Sequence, residues 1–204
     1  KGIKCIPVVP NVKLAQRVQA HGADALVVEG MEAGGHDGKL TLMALLENVL
    51  PDIEIPVIAA GGITDGRGIA ASLLMGASGV QMGTRFLLAE ECSLHPKAKD
   101  AIMAAADTDS VVTGFTTGDS VRGLKNRFSD RYLKAEYSGA SPDELSSISA
   151  GTTKRGALFG DTENGFILAG MSLTHLTKIQ SAKEIVEELV SETERRLAAA
   201  PGLI

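Results

Sequence analysis

The sequence predicts an α/β protein: the carboxyl-terminal half of a (β/α)8 TIM barrel, holding its last four strands, with a smaller, mostly helical region appended. Three observations predict it. Four apolar runs rich in β-branched residues alternate with helical patterns through the first half, as parallel strands buried on both faces do. Two helix-to-strand joints repeat one device, His21-Gly22-Ala23-Asp24-Ala25 and Met75-Gly76-Ala77-Ser78-Gly79, with a glycine cap, a small residue and then the strand. No G-x-G-x-x-G opens a helix, which favours a barrel over an open nucleotide-binding sheet.

Taken in order, the first strand spans 3–9, and Asn11 caps a helix running through Leu14, Val18 and Ala20 to Gly22. The second strand, 25–28, feeds a glycine-rich loop, and its helix covers 41–49. The third strand, 56–60, ends in Gly61-Gly62, with a helix over 69–75 that stops at Gly76. The fourth, 80–82, ends in Gly83-Thr84-Arg85-Phe86, and a helical stretch covers 98–106. These units make a first region of 1–107. Polar stretches and scattered glycines make 108–180 read as a smaller irregular helical region. In 181–204, Ser181 and Glu184 form a capping box, and Ile185, Val186, Leu189 and Val190 make one apolar face for packing on the barrel. Strand 3–9 begins almost at Lys1, so the sequence reads as a piece of something longer.

Composition excludes several classes. A net charge of −5 with no basic patch argues against nucleic acid, and 3% aromatics with no Trp argues against base or sugar stacking. Cys5 and Cys92 lie far apart without metal-ligand spacing, which reads as two reduced thiols in a cytoplasmic protein with no zinc site. No apolar run reaches the roughly 18 residues of a membrane span, and no signal peptide is recognisable.

The loop 29–38, Glu-Gly-Met-Glu-Ala-Gly-Gly-His-Asp-Gly, lies where barrels place their chemistry, at the carboxyl end of a strand. Gly34 and Gly35 allow a ligand to approach the backbone, and His36 projects an imidazole that can donate or accept a proton. The plainer reading is a tight turn with a surface histidine. Ala59-Ala60-Gly61-Gly62-Ile63 with Asp65-Gly66, and Gly83-Thr84 one unit later, form two consecutive glycine loops. Such loops bind phosphate through backbone N–H groups, or else are ordinary strand-to-helix turns. Glu29 points either into the barrel mouth, where it can orient a ligand hydroxyl or help hold a cation, or towards a neighbouring lysine, and Glu32 reads as solvated. Gln81 and Arg85 flank the second loop, with Arg85 pairing a phosphate or a carboxylate. His21 and His95 read as surface groups near helix carboxyl ends, and His175 has no identifiable partner. Lys125, Arg127 and Arg131 form a basic cluster, either a solvated face or a contact for an acidic partner or a dinucleotide 2′-phosphate.

Together, 29–38, 56–65 and 80–86 resemble the flavin-dependent enoyl-acyl carrier protein reductase II family, within the wider nitronate monooxygenase (2-nitropropane dioxygenase) group. The resemblance runs from residue 3 to the end and includes Val121-Arg-Gly-Leu-Lys-Asn126. The stretch Glu-Gly-Met-Glu-Ala-Gly-Gly-His followed by Gly38-Lys39-Leu40-Thr41 is closer to the reductase branch. The resemblance implies FMN, with NAD(P)H as hydride donor and a monovalent cation as a further candidate. It implies His36 as the active-site histidine, Ala33, Gly34 and Gly35 lining the flavin, and Gly61, Gly62, Gly83 and Thr84 holding its phosphate. Glu29, Ala60 and Gln81 complete the candidate cofactor-binding set. The implied activity is reduction of trans-2-enoyl thioesters delivered by acyl carrier protein, in an intact enzyme that is a homodimer. Nitronate oxidation with O2 is the alternative activity, and a non-catalytic half-barrel is a second alternative. Two departures stand out: Ala169-Gly170-Met171 where the family usually has Ala-Gly-Gln, and the lack here of the family's earlier flavin contacts.

Overall fold

A computed structural model describes residues 2–203. Its elements begin with β1 (Val8–Val9), α1 (Val12–Ala20), β2 (Leu26–Glu29), β3 (Gly35–His36) and α2 (Leu42–Val49). Next come β4 (Val57–Ala60), α3 (Gly66–Met75), β5 (Gly79–Gln81) and α4 (Pro96–Ala104). The remainder is β6 (Ser110–Thr113), β7 (Val121–Leu124), α5 (Arg127–Tyr137), α6 (Pro142–Ser149), α7 (Thr152–Phe159) and α8 (Ala182–Ala199). The chain forms two compact units. The first takes the residues up to Ala33, Asp37–Met82 and those from Ser181; the second takes Gly34–His36 and Gly83–Gln180.

In the first unit, four parallel strands form one sheet in the order β1-β2-β4-β5. The two central strands are buried on both faces: Leu26, Val27 and Val28 are at most 3% exposed, and so are Val57, Ala59 and Ala60. Leu26 and Val28 lie two residues apart on one face. With Val57 and Ala59 they join Leu45, Leu46 and Val49 of α2 in one core. Each fully buried leucine there contributes about 1.5–3 kcal/mol over an exposed one. Asn11 caps α1, its Oδ1 accepting from Leu14 N at 2.9 Å.

The expected first strand, 3–9, contracts to Val8–Val9. Pro7 and Pro10 bracket it and can donate no ladder hydrogen bond, while Ile3 is 82% exposed. The chain before it is tied instead by Val27 N to Pro7 O at 2.8 Å and Cys5 N to Asp24 Oδ2 at 2.8 Å. At the other end of the sequence, α8 packs along α3, and Glu192 Oε2 accepts from Gly66 N at 3.0 Å. The Ser181–Glu184 capping box forms. Ile185 and Leu189 are buried, but Val186 and Val190 are 47% and 50% exposed. At 3.6 residues per turn they are rotated about 100° from their neighbours, on the flank of the contact.

The second unit corrects the expectation of an irregular helical region over 108–180. It holds an antiparallel sheet in the order β3-β7-β6, and the unit begins at Gly83 rather than after 107. Ser-Val-Val-Thr and Val-Arg-Gly-Leu are too short and mixed to show a period of two, and β3 is only two residues long. Helix α4 starts at Pro96, two residues before the predicted 98, and Ala105 is already extended. Two apolar clusters fill this unit. One gathers Leu88, Ala98, Ile102, Leu124, Ile167 and Leu173; the other gathers Phe128, Tyr132, Leu145 and Phe166, with tilted aromatic contacts.

Candidate active site

In the first unit, parallel register sets Glu29, Ala60 and Gln81 side by side on adjacent strands at the carboxyl end. The chain turns sharply there. Gly61 and Gly62 both take positive φ, 98° and 71°, and a Cβ on Gly61 would sit 2.9 Å from Gly30 O. Gly30 N in turn donates to Ala60 O at 3.0 Å, so the two loops hold each other. A residue with a side chain at 61 would be strained and would collide. Asp65 then caps α3, accepting from Arg67 N and Gly68 N at 2.9 and 3.3 Å while Arg67 grips its other oxygen. Burial works to raise the Asp65 pKa. Hydrogen bonds from the Arg67 side chain and the Gly68 and Arg67 amides outweigh it and hold the carboxyl below the ordinary value.

Glu32 is not solvated as expected. Both its oxygens accept from Leu42 N, at 3.0 and 2.9 Å, so Glu32 caps α2 in place of Thr41, whose side chain makes no cap bond. A carboxylate suits that helix N-terminus.

The second unit carries Gly34, Gly35 and His36. Gly34 packs so closely that a Cβ would lie 2.5 Å from the Ala169 carbonyl carbon. Gly35 and His36 form the edge of the antiparallel sheet, opposite Arg122 and Val121. The His36 side chain is 76% exposed, and its Nε2 lies 2.9 Å from Asp119 Oδ1. His36 and Asp119 line a cavity of about 370 Å³. Its wall carries hydroxyls from Thr117, Tyr132, Ser149 and Thr152 and apolar surface from Phe128 and Phe166. Burial raises the Tyr132 phenol pKa, helped by the Glu136 charge, so it keeps its proton.

Thr84 heads a short 3-10 turn, Thr84–Leu88, and its Oγ1 accepts from Gly170 N at 2.9 Å, tying this loop to the Ala169-Gly170-Met171 segment. Arg85 is buried, and one of its contacts is a hydrogen bond donated to Gln180 Oε1 at 2.5 Å. His95 sits at a helix N-terminus, not a carboxyl end, with Nδ1 accepting from Lys97 N at 3.2 Å. His21 does close the carboxyl end of α1. Arg127 pairs with Glu163 at 3.1 Å. Among the described residues no cluster of three His, Cys, Asp or Glu side chains could hold a metal ion.

Sequence reasoning missed Asp119, Tyr132 and Glu136. Asp119 meets His36 only through strand pairing distant in sequence. Glu136, 2% exposed, was legible: Phe128, Tyr132 and Glu136 recur every fourth residue on one face of α5, a carboxylate in an apolar stripe.

A parallel sheet alternating with helices defines a partial (β/α)8 barrel, and the comparisons agree. The family model of nitronate monooxygenase matches residues 1–192, and the chain belongs to that family. It is 35% identical over 202 residues to a probable nitronate monooxygenase of Staphylococcus aureus (strain MSSA476), across 93% of this chain and 56% of that protein. Among solved structures, FabK from Thermotoga maritima superposes with a TM-score of 0.96 at 39% identity, over 100% of this chain and 65% of its own. Nitroalkane oxidase from Streptomyces ansochromogenes does so with a TM-score of 0.84 at 30% identity, over 98% of this chain and 60% of its own. The chain thus spans a little over half the length of the curated relatives it matches.

Proposed function

We infer that this chain serves an FMN-dependent reductase of trans-2-enoyl thioesters, acting with the further residues that its longer relatives possess. The observation that carries the reading is His36, held at a sheet edge beside a cavity of small-molecule size, in a stretch closer in sequence to the reductase branch. The likeness to FabK supports it.

The residues present fit a flavin phosphate. Gly83 has an ordinary φ of −106°, and a Cβ there would meet nothing within 4 Å. Nothing in the chain itself requires glycine at 83, whereas a phosphate approaching the backbone does. Gly61, Gly62, Gly83 and Thr84 would hold that phosphate, as the family resemblance implies, with the backbone open to a ligand at glycine. Glu29 and Gln81 would orient ribityl hydroxyls, and Ala33, Gly34, Gly35 and Ala60 would line the ring system.

Bound FMN would supply hydride transfer, with NAD(P)H as its reductant. The protein supplies position and protons. His36 would hydrogen-bond the thioester oxygen as negative charge develops there, or deliver the α-proton. Acyl carrier protein would present the substrate, in a cytoplasmic homodimer. No helix among the described residues is long and apolar enough to cross a membrane.

A second reading is supported by the family model and the S. aureus relative: nitronate oxidation, with His36 taking the proton α to the nitro group. Activity separates the two. The full-length protein should oxidise NAD(P)H in response to crotonyl thioester. Oxygen uptake driven by alkyl nitronate, without thioester-dependent NAD(P)H oxidation, would overturn the reductase reading.

A further inference from the structure

The geometry points to Asp119 as a positioning residue that fixes the tautomer and orientation of the His36 imidazole; this rests on His36 being the acting group. Strand β3, which carries His36, is only two residues long, so its backbone pairing with Val121 and Arg122 cannot by itself aim the ring. The side chain is mostly exposed and would otherwise rotate. Asp119 Oδ1, 2.9 Å from Nε2, would accept a hydrogen bond from Nε2–H and leave Nδ1 as the nitrogen to act on substrate. A carboxylate that holds an imidazole in one tautomer is how acid–base histidines are commonly aimed.

Asp119 is itself held by a built loop. Glu136 accepts from Gly114 N, Thr116 N and Thr116 Oγ1 at 3.2, 2.8 and 2.9 Å. Thr117 Oγ1 donates to Gly114 O at 2.9 Å and accepts from Asp119 N at 3.4 Å. Tyr132, 6% exposed, shares a hydrogen bond with Thr117 from the adjoining helix. The titratable groups that line the cavity beside the imidazole are Asp119 from the hairpin and Tyr132 from α5. No lysine or arginine lines the cavity to compete for the Asp119 carboxylate. The loop's own bonds run through Glu136 and Thr117, and the Asp119 side chain is 73% exposed, so its removal spares the fold.

The test uses the full-length protein labelled with 15N at histidine, the His36 signals being assigned by their loss in His36→Gln. Wild type should show one Nε2–H tautomer for neutral His36, and Asp119→Ala a mixture of both. Asp119→Ala should slow the proton-transfer half-reaction about 10-fold or more while leaving flavin reduction by NAD(P)H unchanged. Asp119→Glu should restore the single tautomer and part of the rate. Should Asp119→Ala not fold, Asp119→Ser removes the carboxylate with a loop-compatible residue and is read the same way. Unchanged 15N signals and rates in either variant would overturn the proposal. The tautomer is read without substrate, so a pinned ring in a protein inactive on both substrates would sink the assigned function and leave the positioning role standing.

Discussion

At the scale of single residues, His36 and Gly83 separate chemistry from architecture. His36→Ala in the full-length protein should slow enoyl reduction by about 10²-fold, the scale of general acid catalysis, and leave flavin reduction largely intact. Unchanged turnover would return His36 to a surface residue. Gly83→Val should lower the FMN that copurifies without lowering the melting temperature of the flavin-free protein, because the space beside residue 83 is open. Wild-type flavin content in that variant would refute phosphate binding there. Gly34 and Gly61 behave differently. Their Cβ positions collide with backbone, so substitutions at either destabilise the fold whether or not a flavin is bound. All three glycines look alike in the sequence. Only packing shows that two are demanded by the protein itself and that one is demanded by nothing inside the chain.

At the scale of elements, caps and clamps decide local stability. Asp65→Ala removes the α3 N-cap and should cost about 1 kcal/mol. Its pKa is depressed in the folded state, so its contribution is present above the unfolded value of about 3.9 and is lost as pH falls through the lower folded value. The difference in melting temperature between wild type and Asp65→Ala should therefore be full at pH 6 and shrink as pH falls below the unfolded value. A difference that grows in acid would contradict the assigned sign. Glu136→Ala leaves the amides of Gly114 and Thr116 without their acceptor, and thermal unfolding should show a loss of about 2–3 kcal/mol. The helices following β2, β4 and β5 were legible to within a few residues, because glycines and capping side chains punctuate them. The antiparallel sheet was not. Its strands are too short to carry a period, and its third strand comes from a distant loop.

At the scale of the whole molecule, the parallel sheet has two edges among the described residues. One is β1, with Val8 49% exposed, and the other is β5. Unpaired strand edges invite association. Expressed as these 204 residues alone, the polypeptide should sediment as an oligomer or aggregate and bind FMN weakly. A well-folded monomer with stoichiometric FMN would contradict this. The full-length protein should instead copurify with a yellow chromophore released as FMN, and recovery of FAD would refute the cofactor assignment.

Alone, the sequence determined the alternation of strand and helix, the parallel sheet and the loops at its carboxyl end. Those features rest on burial and on turn chemistry, which local residues dictate: β-branched runs, glycines at strand ends, and the Asn11, Asp65 and Ser181 caps. The tertiary structure decided the partners of those loops. Glu32 reaches the α2 N-terminus, Thr84 accepts from Gly170, and Asp119 meets His36, each across a separation in sequence that no local pattern records. A hydrogen bond needs only two polar atoms about 3 Å apart, and nothing in the spacing of residues along the chain announces which two the fold will bring together.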